Sequence, residues 1–105
     1  MTEQEMHEGE YTHELKAHPG PFEAMAAGFK THEIRVDDRT PRYAVGDVLY
    51  LREYDPSPRH LKDGGYASGR EMRMRVTYIT RGPEWGIPEG LVVMSVRPMR
   101  PGEAL

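Results

Sequence analysis

The chain has 105 residues, 37% of them hydrophobic and 30% charged, which suits one domain with a single modest core and excludes two. It carries 14 Lys and Arg against 17 Asp and Glu, a net charge of −3, and no cysteine. Disulfides, thiolate metal sites and the strongly basic domains that hold duplex nucleic acid by charge alone are therefore excluded. The acids are unevenly spread. Residues 1–10 hold four Glu and no Lys or Arg, so the rest has 14 Lys and Arg against 13 acidic residues, and the stretch from Lys30 to Arg100 has 13 against 10. That bias suits a local anion-binding patch and a small contact with nucleic acid.

Residues 1–10, MTEQEMHEGE, lack apolar periodicity and read as an acidic flexible tail. They also lack the basic and apolar regions of a signal peptide, and no apolar run approaches the ~20 residues of a membrane span. The expectation is a cytoplasmic protein without membrane contact. Residues 11–17 alternate as a strand, with His13 and Leu15 on one face and Glu14 and Lys16 on the other. Pro19, Gly20 and Pro21 break it, and PFEAMAA predicts a short helix that packs Phe22 and Met25 inward and stops at Gly28. Residues 30–36 alternate again, setting His32, Ile34 and Val36 against Thr31, Glu33 and Arg35.

Residues 37–44 form a polar loop in which Arg39 is expected to bond to Asp37, Asp38 or backbone carbonyls, and Gly46-Asp47 opens a strand over 48–54. Residues 55–68 are the longest loop, and long loops on small barrels often carry function. The cleanest strand is 70–80, with Met72, Met74, Val76 and Tyr78 expected inside and Glu71, Arg73, Arg75 and Thr77 outside. A turn over 81–90 holds Trp85, a last strand covers 91–96, and 101–105 is a short tail. Five strands with one helix between the first two predict a mainly β, α+β fold, a small barrel over residues 11–100.

Lys30, Glu33 and Arg35 lie within six residues and place opposite charges on rigid backbone, as a polar ligand site requires; an exposed salt bridge worth ~0–1 kcal/mol would use the same residues. Arg52, Tyr54, Arg73 and Arg75 on neighbouring strands could extend this ledge by pairing with phosphate and stacking on a base, or could merely solvate the sheet. Tyr66 and Trp85, in loops, could stack on a ligand or cover the barrel end. The five histidines, His7, His13, His18, His32 and His60, have no metal-ligand spacing; HELKAH separates its two by five positions. Residues 64–71, GGYASGRE, have the glycines of a phosphate loop without its Lys-Ser/Thr, and read as a turn. No metal and no cofactor is expected.

The order helix, Gly, Lys-Thr-x-x-Ile-Arg, Gly-Asp-Val-Leu resembles the ASCH domains of the PUA-like superfamily, and HELK, THEIR, LREYD, Gly69-Arg70-Glu71 and the Gly-Pro-Glu-Trp-Gly turn look most like the DUF3850 family, over nearly all of residues 11–98. The resemblance implies a PUA-like β-barrel associated with RNA or modified nucleosides. In ASCH-type amidohydrolases a lysine at the place of Lys30 works with a threonine nucleophile three residues later, where this chain has Glu33. A carboxylate can accept a proton or bind a base edge but is a poor replacement for a hydroxyl that must be acylated. The leading expectation is an RNA- or nucleotide-binding module using Lys30, Glu33, Arg35, Arg52 and Tyr54 or Trp85. The alternatives are a nucleoside amidohydrolase using Lys30 and Glu33, and an accessory domain that docks another protein through its acidic tail or Arg face.

Overall fold

The computed structural model describes residues 11–57, 59 and 64–103. The acidic stretch 1–10 with His7, the loop positions 58 and 60–63 with His60 and Lys62, and residues 104–105 lie outside the described residues. The expected strands and helix are present: β1 (Thr12–Ala17), α1 (Pro19–Ala26), β2 (His32–Val36), β3 (Val48–Glu53), β4 (Glu71–Arg81) and β5 (Leu91–Pro98). They form one sheet in the order β1-β3-β4-β5-β2, with β1 and β3 parallel and the other pairs antiparallel. The sheet curls into a half-barrel whose edges are β1 and β2, joined in sequence by α1.

Side chains close the gap between these edges. The Arg35 guanidinium of β2 donates to the Lys16 carbonyl of β1 at 2.8 Å, and Arg39, just beyond β2, donates to the Glu14 carbonyl at 3.3 Å. Carbonyls on an edge strand that would otherwise face solvent thus receive guanidinium donors from across the seam.

The concave side is lined by Leu15, Leu49, Leu51, Met74, Val76 and Met94, all 3% exposed or less, and α1 lays Phe22 and Met25 over it. Pro19 and Pro21 suit the first turn of α1, where a missing amide hydrogen costs nothing. Its far end is a Schellman arrangement: the Gly28 amide donates to Met25 and the Phe29 amide to Ala24, with Gly28 at φ 85°. The Lys30 amide also donates to the Ala24 carbonyl at 3.1 Å, so the chain leaves the helix with Lys30 at a fixed point.

The structure decides one facing that the sequence left open, on β2, and corrects another, on β4. On β2 the alternation holds, but the polar side turns inward: Glu33 is buried while Ile34 and Val36 are 53% and 58% exposed. Glu33 and Arg35 sit opposite Met94 and Val92, both fully buried, so the concave face of β5 dictates which side of β2 looks in. On β4 a bulge between Val76 and Tyr78 shifts the register by one residue. Tyr78 is thereby turned out and Ile79 turned in, reversing the expected core assignment of Tyr78.

One buried polar pair ties the loops to the sheet. His13 Nε2 lies 2.7 Å from Asp47 Oδ2, which also accepts from the Ala44 amide at 2.9 Å. Asp47 is fully buried and sits at the turn before β3, so β1, the 37–46 loop and β3 share one anchor.

Candidate functional site: a cleft at the seam

The bridged seam between β1 and β2 places charged groups around a hollow. Glu33 projects inward from β2 and its side chain is 6% exposed. Lys30 Nζ donates to Oε1 at 2.6 Å and Arg35 Nε to Oε2 at 2.9 Å, so both carboxylate oxygens are held by cations. Lys30 Nζ also donates to the His32 carbonyl at 2.6 Å. A buried carboxylate with two cations interacts through low-dielectric surroundings and is held more tightly than an exposed pair. The arrangement is rigid at its base and open above, because Lys30 and Arg35 remain 21% and 25% exposed.

The hollow has two lobes. The first, of about 300 Å³, is lined by Lys16, His18, Pro21, Lys30, Glu33 and Arg35 among others. The second, of about 400 Å³, is lined by Glu14, Lys16, Arg35, Arg39 and Tyr66. Lys16 and Arg35 belong to both, so the lobes are contiguous. An aromatic and cationic ladder runs along one side. Lys16 Nζ lies 4.5 Å from the Tyr54 ring centre, the Tyr54 and Tyr66 rings are 5.5 Å apart, and the Arg52 guanidinium stands 4.1 Å over Tyr66. Arg52 also binds Glu14 Oε1 at 3.0 Å.

Gly65 makes this ladder possible. A Cβ on Gly65 would come within 2.3 Å of the Tyr54 ring, and its φ of 84° belongs to the left-handed region. The Asp55 amide donates to the Gly65 carbonyl at 2.8 Å, which locks the long loop against the end of β3.

Of the residues singled out in the sequence, Lys30, Glu33, Arg35, Arg52, Tyr54 and Tyr66 are joined by this chain of contacts. Arg73, Arg75 and Trp85 are elsewhere. Arg73 lies on the convex face, 4.4 Å over the Tyr50 ring and 3.9 Å from Glu71. Arg75 donates to Glu103 at 2.9 Å and to the Gly46 carbonyl at 2.7 Å, a tie for the chain beyond β5. Trp85 is 92% exposed in the β4–β5 turn, beyond Val36 and Leu91 and so at the opposite end of β2 from Lys30.

Lys16, His18 and Arg39 line the cleft without having been chosen from the sequence. Lys16 was legible as an outward residue of the first strand; that this strand is a sheet edge beside Arg35 was not. Arg39 does bond to a backbone carbonyl as expected, but that carbonyl belongs to Glu14, because Arg42 and Arg81 occupy Asp37 at 2.6 and 3.0 Å. Burial would raise the Asp37 carboxyl, but the Arg42 hydrogen bond and the Arg81 charge outweigh it and hold the group below its usual range.

Four cations, Lys16, Lys30, Arg35 and Arg39, line the two lobes against two carboxylates, Glu14 and Glu33, so the cleft has an excess of two positive charges in a chain whose net is −3. Concave surfaces of one sign concentrate counter-ions. A second depression, of about 490 Å³ between α1 and β4, has a methionine-rich floor. Its Arg70 is bound to Glu23 at 2.9 Å, and its Arg73 and Glu71 offset each other, so it has no comparable excess. Among the described residues no group of three His, Asp or Glu is arranged to hold a metal ion, and no helix is long and apolar enough to cross a membrane.

No curated protein matches the chain significantly. The family model of DUF3850, a domain of unknown function, matches residues 12–96, from the first residue of β1 to within β5 and including the whole cleft, and the chain belongs to that family.

Proposed function

We propose that this DUF3850 domain is an ASCH-type, PUA-like module that binds single-stranded RNA or a nucleotide in the cleft between β1 and β2. The observation that carries the reading is the Lys30–Glu33–Arg35 cluster, a buried carboxylate gripped by two partly exposed cations at the floor of an electropositive hollow. Cations at such a floor favour an anionic ligand. Tyr66 and Tyr54 supply aromatic surface beside it, the combination by which unpaired bases and their backbone are held. The modest size of the patch favours contact with few phosphates.

Fluorescence anisotropy of a labelled single-stranded RNA at low salt tests this. Saturable binding is expected, weakened at least about tenfold by Lys30→Ala and falling with salt along a shallow slope, about −2 in log–log form for some three phosphate contacts. A signal that never saturates at low salt would overturn the reading.

The close contact of Lys30 Nζ with the Glu33 carboxylate, 2.6 Å, is also the observation that favours a second reading, proton transfer on a modified nucleoside. Incubation with acylated cytidines tests it. Release of the acyl group that disappears on Lys30→Ala would support catalysis, and unchanged substrate would leave binding alone.

A further inference from the structure

Resting on the reading just given, we infer that the lobe between Lys16, Arg35 and Arg39 is a phosphate subsite, and that the ligand of the cleft is a phosphomonoester rather than a bare nucleoside. The two lobes differ in chemistry. In the first, the Glu33 carboxylate is present to balance Lys30 and Arg35. In the second, the acid at the wall is Glu14, and its carboxylate is engaged by Arg52 at 3.0 Å. Lys16 and Arg39 thus bring two positive charges that no acid lining that lobe offsets, matching the −1.5 to −2 that a phosphomonoester carries at neutral pH, whereas a phosphodiester carries about −1.

The donors are also fixed before a ligand arrives. Arg35 is held by its bonds to Glu33 and the Lys16 carbonyl, and Arg39 by its bond to the Glu14 carbonyl. Each guanidinium has five N–H donors, so these anchoring bonds leave donors on both groups for an anion. Lys16, exposed and resting on the Tyr54 ring, adds a point charge at the junction of the lobes. A phosphate seated there would direct its sugar and base toward Glu33 and Lys30 in the adjoining lobe.

Calorimetric titration of the full chain with the four nucleoside 5′-monophosphates, their nucleosides and pyrophosphate tests the subsite. At least one monophosphate is expected to bind about tenfold or more tightly than its nucleoside, a difference of about 1.4 kcal/mol. That ratio is expected to collapse toward one in Arg39→Ala and in Lys16→Ala. Among the described residues the Lys16 side chain makes no hydrogen bond, so Lys16→Ala keeps the test valid should Arg39→Ala unfold. A 5′-phosphorylated oligoribonucleotide measured beside its 5′-hydroxyl form distinguishes a strand end from a free nucleotide as the source of the phosphate. Equal affinity for nucleoside and monophosphate would overturn the subsite while leaving the cleft a nucleoside or RNA site. Binding of pyrophosphate that depends on Lys16 and Arg39, with no binding of nucleoside or RNA, would uphold the subsite and remove the broader reading. Failure of all these probes to bind would overturn both.

Discussion

Glu33 is the residue on which the cleft turns, because it is the buried carboxylate between two cations. Glu33→Gln keeps the shape and removes the charge that Lys30 and Arg35 both face. Loss of one partner from a fully buried pair costs ~3–5 kcal/mol, and partial exposure of these cations lowers the expected loss to about 1–3 kcal/mol in a denaturant titration. A shift within about 0.3 kcal/mol would show that the cluster is a solvated surface pair. The same variant is expected to tighten RNA binding at low salt and to steepen its salt dependence, since the hollow gains a net positive charge. Arg73 and Arg75 give the contrast. Their guanidiniums are outside the cleft, so Arg73→Ala is expected to change RNA affinity less than about twofold in the anisotropy assay that registers Lys30→Ala.

At the scale of elements, the long loop and the β4–β5 turn are positioned by backbone demands that can be tested separately. Gly65→Ala would drive a methyl group into the Tyr54 ring and place alanine at a left-handed φ, and is expected to cost about 1–3 kcal/mol, with Tyr54 and Tyr66 displaced in their NMR signals. A variant as stable as the parent would show that the loop relaxes freely. Trp85 holds the left-handed region at φ 55°, where bulky residues are strained. Replacement by Asn, which tolerates that region, is expected to leave stability unchanged or raise it by up to about 1 kcal/mol, because an indole that is 92% exposed has little packing to lose.

These elements also explain what the sequence could and could not reveal. Strand positions followed from the period of two, and the helix from its prolines and the terminal Gly28. The facing of β2 did not, because HEIRV offers a charged and an apolar side, and the apolar one is exposed. Its opposite neighbours on β5, a long-range partner in the chain, decide the matter. Tyr78 was misassigned for a local reason, a one-residue bulge within an otherwise regular alternation. Lys30, Glu33 and Arg35 were legible because they are close in sequence. The roles of Lys16 and Arg39 depend on two sheet edges meeting, which no local pattern records.

Across the whole molecule, arginine–carboxylate ties outside the cleft fasten the loops and the chain end to the half-barrel. Glu103 accepts from Arg97 at 2.8 and 2.9 Å, from the Arg100 amide at 2.8 Å and from Arg75 at 2.9 Å. The Arg97 hydrogen bonds, then those of Arg100 and Arg75, depress its carboxyl far below the ordinary 4.5, and Asp37 is depressed below 3.8. Groups depressed in the folded state are more readily protonated in the unfolded chain. Their stabilisation is therefore present above those ordinary values and is lost as pH falls through the folded ones. The denaturation midpoint is expected to drop below about pH 4.5, and Glu103→Gln to make that drop shallower. An identical acid profile in the variant would contradict this role for Glu103.

On the proposed function, ligand enters the seam between the two edge strands. Amide chemical-shift mapping on the ¹⁵N-labelled chain, titrated with a single-stranded RNA or the best-binding nucleoside monophosphate, locates that ligand on the fold. Perturbations are expected to cluster at residues 14–18, 30–39 and 65–66, on both sides of the seam. Shifts centred on Arg73 and Tyr50, on the Trp85 turn, or on the methionine-rich depression beside α1 would contradict it.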